Sequence, residues 1–201
     1  MAVDFGIDFR LDNGYVTDPT NCTYWVAESY PTVRSFTFVG GSSITAGWSG
    51  SGNAVGRDRT GTPTADPRIT GCNRTNATTD TFRVDLPESG TYDVYIAAGD
   101  AQVSYECCFD ILNSDATSVL YAQADTGTQS AGTWYDAQGT QHASSAAWVS
   151  SNAPRSLTFS GTAAYLRLNA TVDISPICHL RFVKSGGGSP TSYYLSDTVE
   201  M

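Results

Sequence analysis

The chain has 201 residues, 20 of them acidic and 11 basic, for a formal net charge of −9. That balance repels phosphate backbones and anionic lipid, which sets aside nucleic acid and membrane surfaces as partners. With 40% hydrophobic, 11% aromatic and only 15% charged residues, the composition excludes a disordered chain and describes one larger β-rich domain with a Ser, Thr, Gly and Asn surface.

Over 3–11 the odd positions Val3, Phe5, Ile7, Phe9 and Leu11 are apolar, whereas Asp4, Asp8 and Arg10 fall on even ones. This alternation predicts a strand with one face in a core and the other in water. The opening residues hold two carboxylates and no cationic segment leading into an apolar one, so no secretory leader is expected. No run of about 18 apolar residues marks a membrane helix. After a strand at 35–39, the stretch 40–71 is rich in Gly, Ser and Thr and reads as a long irregular loop of the kind that binds ligands. It contains Trp48 and the triplet Arg57, Asp58, Arg59.

The most telling segment is 81–96. Phe82, Val84 and Leu86 share one face, Pro87 to Gly90 supply turn chemistry, and Tyr92, Val94 and Ile96 resume the alternation, which predicts a β-hairpin. Further strands are expected at 103–112, 118–123, 156–159, 163–168 and 177–183, each bounded by Gly, Pro, Asn, Asp or Ser. No window of about 11 residues carries helical apolar spacing with good helix formers, so helices should be short and few. The expectation is an all-β, jelly-roll-like, two-sheet antiparallel β-sandwich over 1–184. A Gly/Ser linker and tail, 185–201, follows. It is either a frayed terminus or an arm that adds Tyr193, Tyr194 and Leu195 to a neighbouring subunit.

Five cysteines, an odd number without a leader, point to a reducing compartment and free thiols. In the run from Tyr105 to Ile111, alternation puts Cys107 beside Tyr105, Phe109 and Ile111 as a small core hydrophobe. A zinc site would want C-x-x-C or neighbouring histidines, and neither occurs, since His142 and His179 lie far apart in sequence. Asn-X-Ser/Thr triplets at Asn21, Asn73, Asn76 and Asn169 read as coincidental in a chain rich in Asn and Thr.

Taken in order, Asp4-Phe5-Gly6, Gly14-Tyr15, Trp48, Arg57-Asp58-Arg59, Phe82-Arg83-Val84-Asp85-Leu86-Pro87, Gly90-Thr91-Tyr92-Asp93-Val94 and Gly99-Asp100 carry a resemblance. The pattern resembles the malectin-like, galactose-binding-domain-like sandwiches that accompany many polysaccharide-active enzymes. It covers 2–184 and is strongest from Phe82 to Asp100. The resemblance implies a jelly roll whose loops bind sugars or a structural calcium ion. The long 102–154 region departs from the family pattern, and no attached catalytic domain is expected.

A sugar site needs an aromatic platform for the apolar face of a pyranose and polar groups for its hydroxyls. Trp48 with Arg57, Asp58 and Arg59 offers both, with Tyr24, Trp25, Trp134, Tyr135 and Trp148 as alternatives. The Arg-Asp-Arg triplet has a competing role, an ion-pair cluster that pins the loop to the sandwich. No cofactor is expected, and Asp4, Asp8 and Asp173 are the carboxylates from which a structural Ca2+ site would draw. An esterase of this kind would carry a Gly-Asp-Ser turn and a later Asp-x-x-His, but Ala101 follows Gly99-Asp100 and no Asp stands three residues before His179. Paired glycosidase carboxylates show no diagnostic spacing.

With no expected leader, free thiols, an acidic Ser, Thr and Gly-rich surface and a flexible tail, the chain resembles accessory virion proteins of tailed bacteriophages, and the resemblance implies a non-catalytic surface or decoration module made in host cytoplasm. It would act in several copies and contact other virion subunits or a cell-surface glycan. The alternatives are a cytoplasmic location, a carbohydrate-binding module of a polysaccharide-degrading system, and a carbohydrate-active hydrolase.

Overall fold

A computed structural model describes residues 2–11, 21–49, 54–59, 66–76, 79–124, 128–169 and 174–184. In chain order the strands are β1 (Asp4–Phe9), β2 (Cys22–Trp25), β3 (Thr32–Phe38), β4 (Gly41–Ser49), β5 (Val55–Asp58), β6 (Gly71–Asn76), β7 (Thr79–Asp85) and β8 (Gly90–Asp100). Then come β9 (Phe109–Leu112), β10 (Val119–Gln123), β11 (Thr133–Tyr135), β12 (Gln141–His142), β13 (Arg155–Phe159), β14 (Ala163–Asn169), β15 (Ile174–Ile177) and β16 (His179–Lys184). Among the described residues helix is confined to a 3-10 turn (Pro67–Ile69) and α1 (Ser145–Ser151), and no helix is long and apolar enough to cross a membrane.

The chain is an all-β sandwich. A seven-stranded sheet runs β12-β11-β8-β16-β1-β2, with β13 also on β8, and a six-stranded sheet runs β10-β9-β14-β7-β4-β3. A third sheet, β15-β6-β5, is smaller. The named pairs are antiparallel except β1 with β2, which run parallel. Alternate side chains from both large sheets fill one interior: Phe5, Ile7 and Phe9 of β1 on one side, Phe82 and Val84 of β7 and Ile44 of β4 on the other. Phe82 is its centre, with ring centroids 4.9 Å from Phe9, 5.1 Å from Trp48 and 5.8 Å from Trp25, all edge-on. Each such side chain contributes about 1.5–3 kcal/mol by leaving water.

The alternation at 81–96 is present, but its two strands are not partners. β7 pairs with β14 and β4, whereas β8 pairs with β16, β13 and β11. The turn between them is an arch from one sheet to the other, held by Leu86 N–H on the Thr162 carbonyl (2.9 Å) and the Tyr92 hydroxyl on the Glu88 carbonyl (2.7 Å). A hairpin and an arch have the same sequence period; they differ in whether the two apolar faces lie side by side or face each other across the core.

The stretch 40–71 is not an irregular loop either. It holds β4 and β5, and Ile44, Ala46 and Trp48 alternate inward behind outward Ser, Thr and Gly. The strand expected at 103–112 starts only at Phe109, although Cys107 is buried in the core as anticipated. At 177–183 the ladder breaks at Cys178, between β15 and β16.

The even face of β1 is not in water. Asp4, Asp8 and Arg10 are 6%, 1% and 2% exposed. The small sheet, the 3-10 turn and α1 cover this back of the seven-stranded sheet, where Ile69, Cys72, Ala97, Trp134, Trp148 and Cys178 form a second, smaller core. Helix α1 has only seven residues and owes its stability to docking: Ser144 caps Ala147 N–H at 3.1 Å, and the Trp148 indole N–H reaches the Ile96 carbonyl at 3.1 Å.

Candidate functional site

Trp48 does not offer a platform. It is 5% exposed, on the inward face of β4 against Phe9 and Phe82. The other tryptophans, Trp25, Trp134 and Trp148, are buried as well. Arg57 donates to the Gly56 carbonyl at 2.9 Å, and Asp58 accepts Leu11 N–H at 3.2 Å. Arg59 forks onto the buried Asp100 carboxylate, with Nε to Oδ1 at 2.8 Å, while Asp100 also receives Gln102 N–H at 2.8 Å. Arg59 therefore ties the end of β5 to the end of β8, and Asp58 ties it to the residues after β1, which is the structural role weighed against sugar contact. Of the proposed calcium carboxylates, Asp4 is bidentate to Arg181 at 2.7 Å and Asp8 faces His179 at 2.6 Å. Asp173, Tyr193, Tyr194 and Leu195 lie outside the described residues.

An aromatic and charged cluster sits instead on the outward face of the six-stranded sheet. Register sets Tyr165 of β14 opposite Arg83 of β7, and Arg83 opposite Gly47 of β4. Gly47 has φ of +150°, and a Cβ there would lie 2.6 Å from Ser29 C and Tyr30 Cα. Its missing side chain lets the 29–30 backbone cross β4 and deliver Tyr30 to the same face. The Arg83 guanidinium then lies 4.4 Å from the Tyr30 ring centre and 5.8 Å from that of Tyr165. Asp85 joins them, accepting Arg83 Nε at 2.8 Å and the Tyr30 hydroxyl at 3.0 Å. Partial burial, then that hydrogen bond, push the Tyr30 phenol above its ordinary pKa, so it stays a neutral donor. Arg83 and Asp85 keep 32% and 33% of their side chains exposed. Beside them Arg167 forks onto Asp110, which also accepts Asn169 Nδ2 at 2.6 Å.

Alternation with Phe82, Val84 and Leu86 leaves Arg83 and Asp85 on the opposite face of their strand, but it has no means of joining them to Tyr30 and Tyr165, which come from distant segments.

A second cluster lies at the edge of the covered back. Asp8 pairs with His179 across β1–β16, and Gly6 with Cys22 across β1–β2, so Gly6, Asp8, Cys22 and His179 share one face. One donor atom from each of Asp8, Cys22 and His179 falls within 4.8 Å of the others. His179 is fully buried, with Trp148 edge-on at 5.9 Å. Burial pushes its pKa down against the opposing pull of Asp8. These donors come from three strands, and a search for C-x-x-C or adjacent histidines passes over such a set. No family model matches the chain, and no curated protein does.

Proposed function

We propose that the chain is a non-catalytic surface module that holds a glycan on the outer face of its six-stranded sheet and acts in several copies as a decoration subunit of a phage virion. The carrying observation is the layered Tyr30, Arg83 and Tyr165 cluster with Asp85, partly exposed on the outward face of that sheet. Phenol rings accept the C–H face of a pyranose, and an Arg–Asp pair offers donors and acceptors to adjacent hydroxyls. The net charge of −9 favours a neutral sugar over a polyanionic one. Five cysteines, none in a disulfide, agree with assembly in a reducing cytoplasm. One shallow site binds weakly, and repeated copies on a particle convert weak contacts into avidity.

A glycan array with wild type, Arg83→Ala and Tyr165→Ala tests the sugar reading. Wild type should give a specific signal that both variants lose, and silence from wild type displayed in multiple copies would end the proposal. Finding capsid or tail genes beside its own would support the virion placement; abundance in a soluble bacterial fraction with no particle would remove it.

A further inference from the structure

We propose that Asp8, Cys22 and His179 form a site for one divalent transition-metal ion of the zinc type, at the seam of β1, β2 and β16. The three donor atoms lie within 4.8 Å of one another. Donors at about 2.0–2.3 Å from a common ion are at most about 4.4 Å apart, so small side-chain adjustments close this set around a metal.

Two further observations point to a ligand. The first is unused bonding capacity. His179 Nδ1 meets Asp8 Oδ1 at 2.6 Å, yet the buried His179 Nε2 has no hydrogen-bond partner among the described residues, and Asp8 Oδ2, also without a hydrogen bond there, has the Arg10 guanidinium 3.9 Å away. Orphaned buried polar atoms are costly, and a cation is one way to satisfy them. The second is space. A Cβ on Gly6 would lie 2.6 Å from Cys22 Sγ and 3.2 Å from His179 Cε1, so the glycine keeps open the gap between thiol and imidazole.

Donor chemistry selects the ion. Sulfur, nitrogen and oxygen together suit a borderline-soft cation such as Zn2+ and are poor for Ca2+ or Mg2+, which want oxygen alone. A thiolate and a carboxylate balance the dication, with imidazole neutral. Cys22 is only half-buried, which gives an entry path on its side. The same trio has the order of nucleophile, base and orienting carboxylate, but His179 is wholly buried beneath Trp148, where a substrate's leaving group has no access.

Titration of the metal-free chain with Co2+ should give one equivalent bound and a thiolate-to-cobalt charge-transfer band. Zn2+ should bleach that band, and saturating Zn2+ should raise the melting temperature by roughly 5–10 °C. Cys22→Ser should lose both signals, whereas Cys108→Ser, at the other half-buried thiol, should keep them. A band that persists in Cys22→Ser, or no bound equivalent in wild type, overturns the site. If Cys22→Ser fails to fold, alkylation of the native wild-type chain decides: Zn2+ should protect Cys22 from iodoacetamide, and unchanged labelling refutes the proposal.

Discussion

The two sheets turn contrasting backs outward. On the six-stranded sheet the outward Arg83 and Asp85 stay partly in water and pair beside two tyrosine rings. On the seven-stranded sheet the equivalent positions of β1 and β16 carry Asp4, Asp8, His179 and Arg181, all buried, on the side where the small sheet, the 3-10 turn and α1 pack. The same alternation of polar and apolar residues therefore serves two purposes. Where nothing covers it, a charged pair contributes little to stability and is available to a ligand. Where a layer covers it, each charge must be matched, and the match fixes how the layer docks.

Breaking a covered pair should have the largest effect. Asp4→Ala removes the buried carboxylate onto which Arg181 forks and should cost about 3–5 kcal/mol in a denaturant titration; a loss below about 1 kcal/mol would mean that the back is solvated after all. Replacing Asp4 and Arg181 together by apolar residues of similar volume should recover most of that loss. Next comes Gly47→Ala, which drives a methyl group into the 29–30 backbone. It should cost about 1–3 kcal/mol and abolish glycan binding by displacing Tyr30; full stability with intact binding would show that the crossing does not depend on this glycine.

Alkali offers a milder probe of the covered sheet. Burial of Tyr92 pushes its pKa up to about 12, from 10.0 when unperturbed. The raised value means that the folded state prefers the neutral phenol, so its contribution is complete below pH 10 and is lost as pH rises toward 12. Denaturation midpoints across that window should fall, and Tyr92→Phe should flatten the decline. The smallest change in stability belongs to the open face. Arg83→Ala should alter it by less than about 1 kcal/mol while removing the glycan signal, and a large loss would place Arg83 among the structural pairs.

Much of the scaffold is legible residue by residue. Val3 to Phe9, Phe82 to Leu86 and Tyr92 to Ile96 announce their strands because every second side chain enters the core. β4 announces itself too, in Ile44, Ala46 and Trp48, but Ser, Thr and Gly around them imitate a loop. What alternation cannot encode is partnership, so the arch between β7 and β8 has the signature of a hairpin. Nor does it encode cover: Asp8 and Arg83 look alike in sequence, yet one is buried and the other half-exposed. Both clusters arise from strand register between distant segments, such as Asp8 with His179 and Arg83 with Tyr165, and no local motif reports such pairings.

Lys184 N–H bonds to the Val3 carbonyl at 2.9 Å, and Asp4 sits beside Val183 at the same end of the antiparallel β1–β16 pair. Chain entering at β1 and chain leaving at β16 thus share one corner of the molecule. Pulling those two leads apart would unzip the ladder rung by rung instead of shearing all its bonds at once, so the domain should yield at low force along that axis. Anchored through either lead alone, it would hang as a pendant whose far side takes up mechanical load.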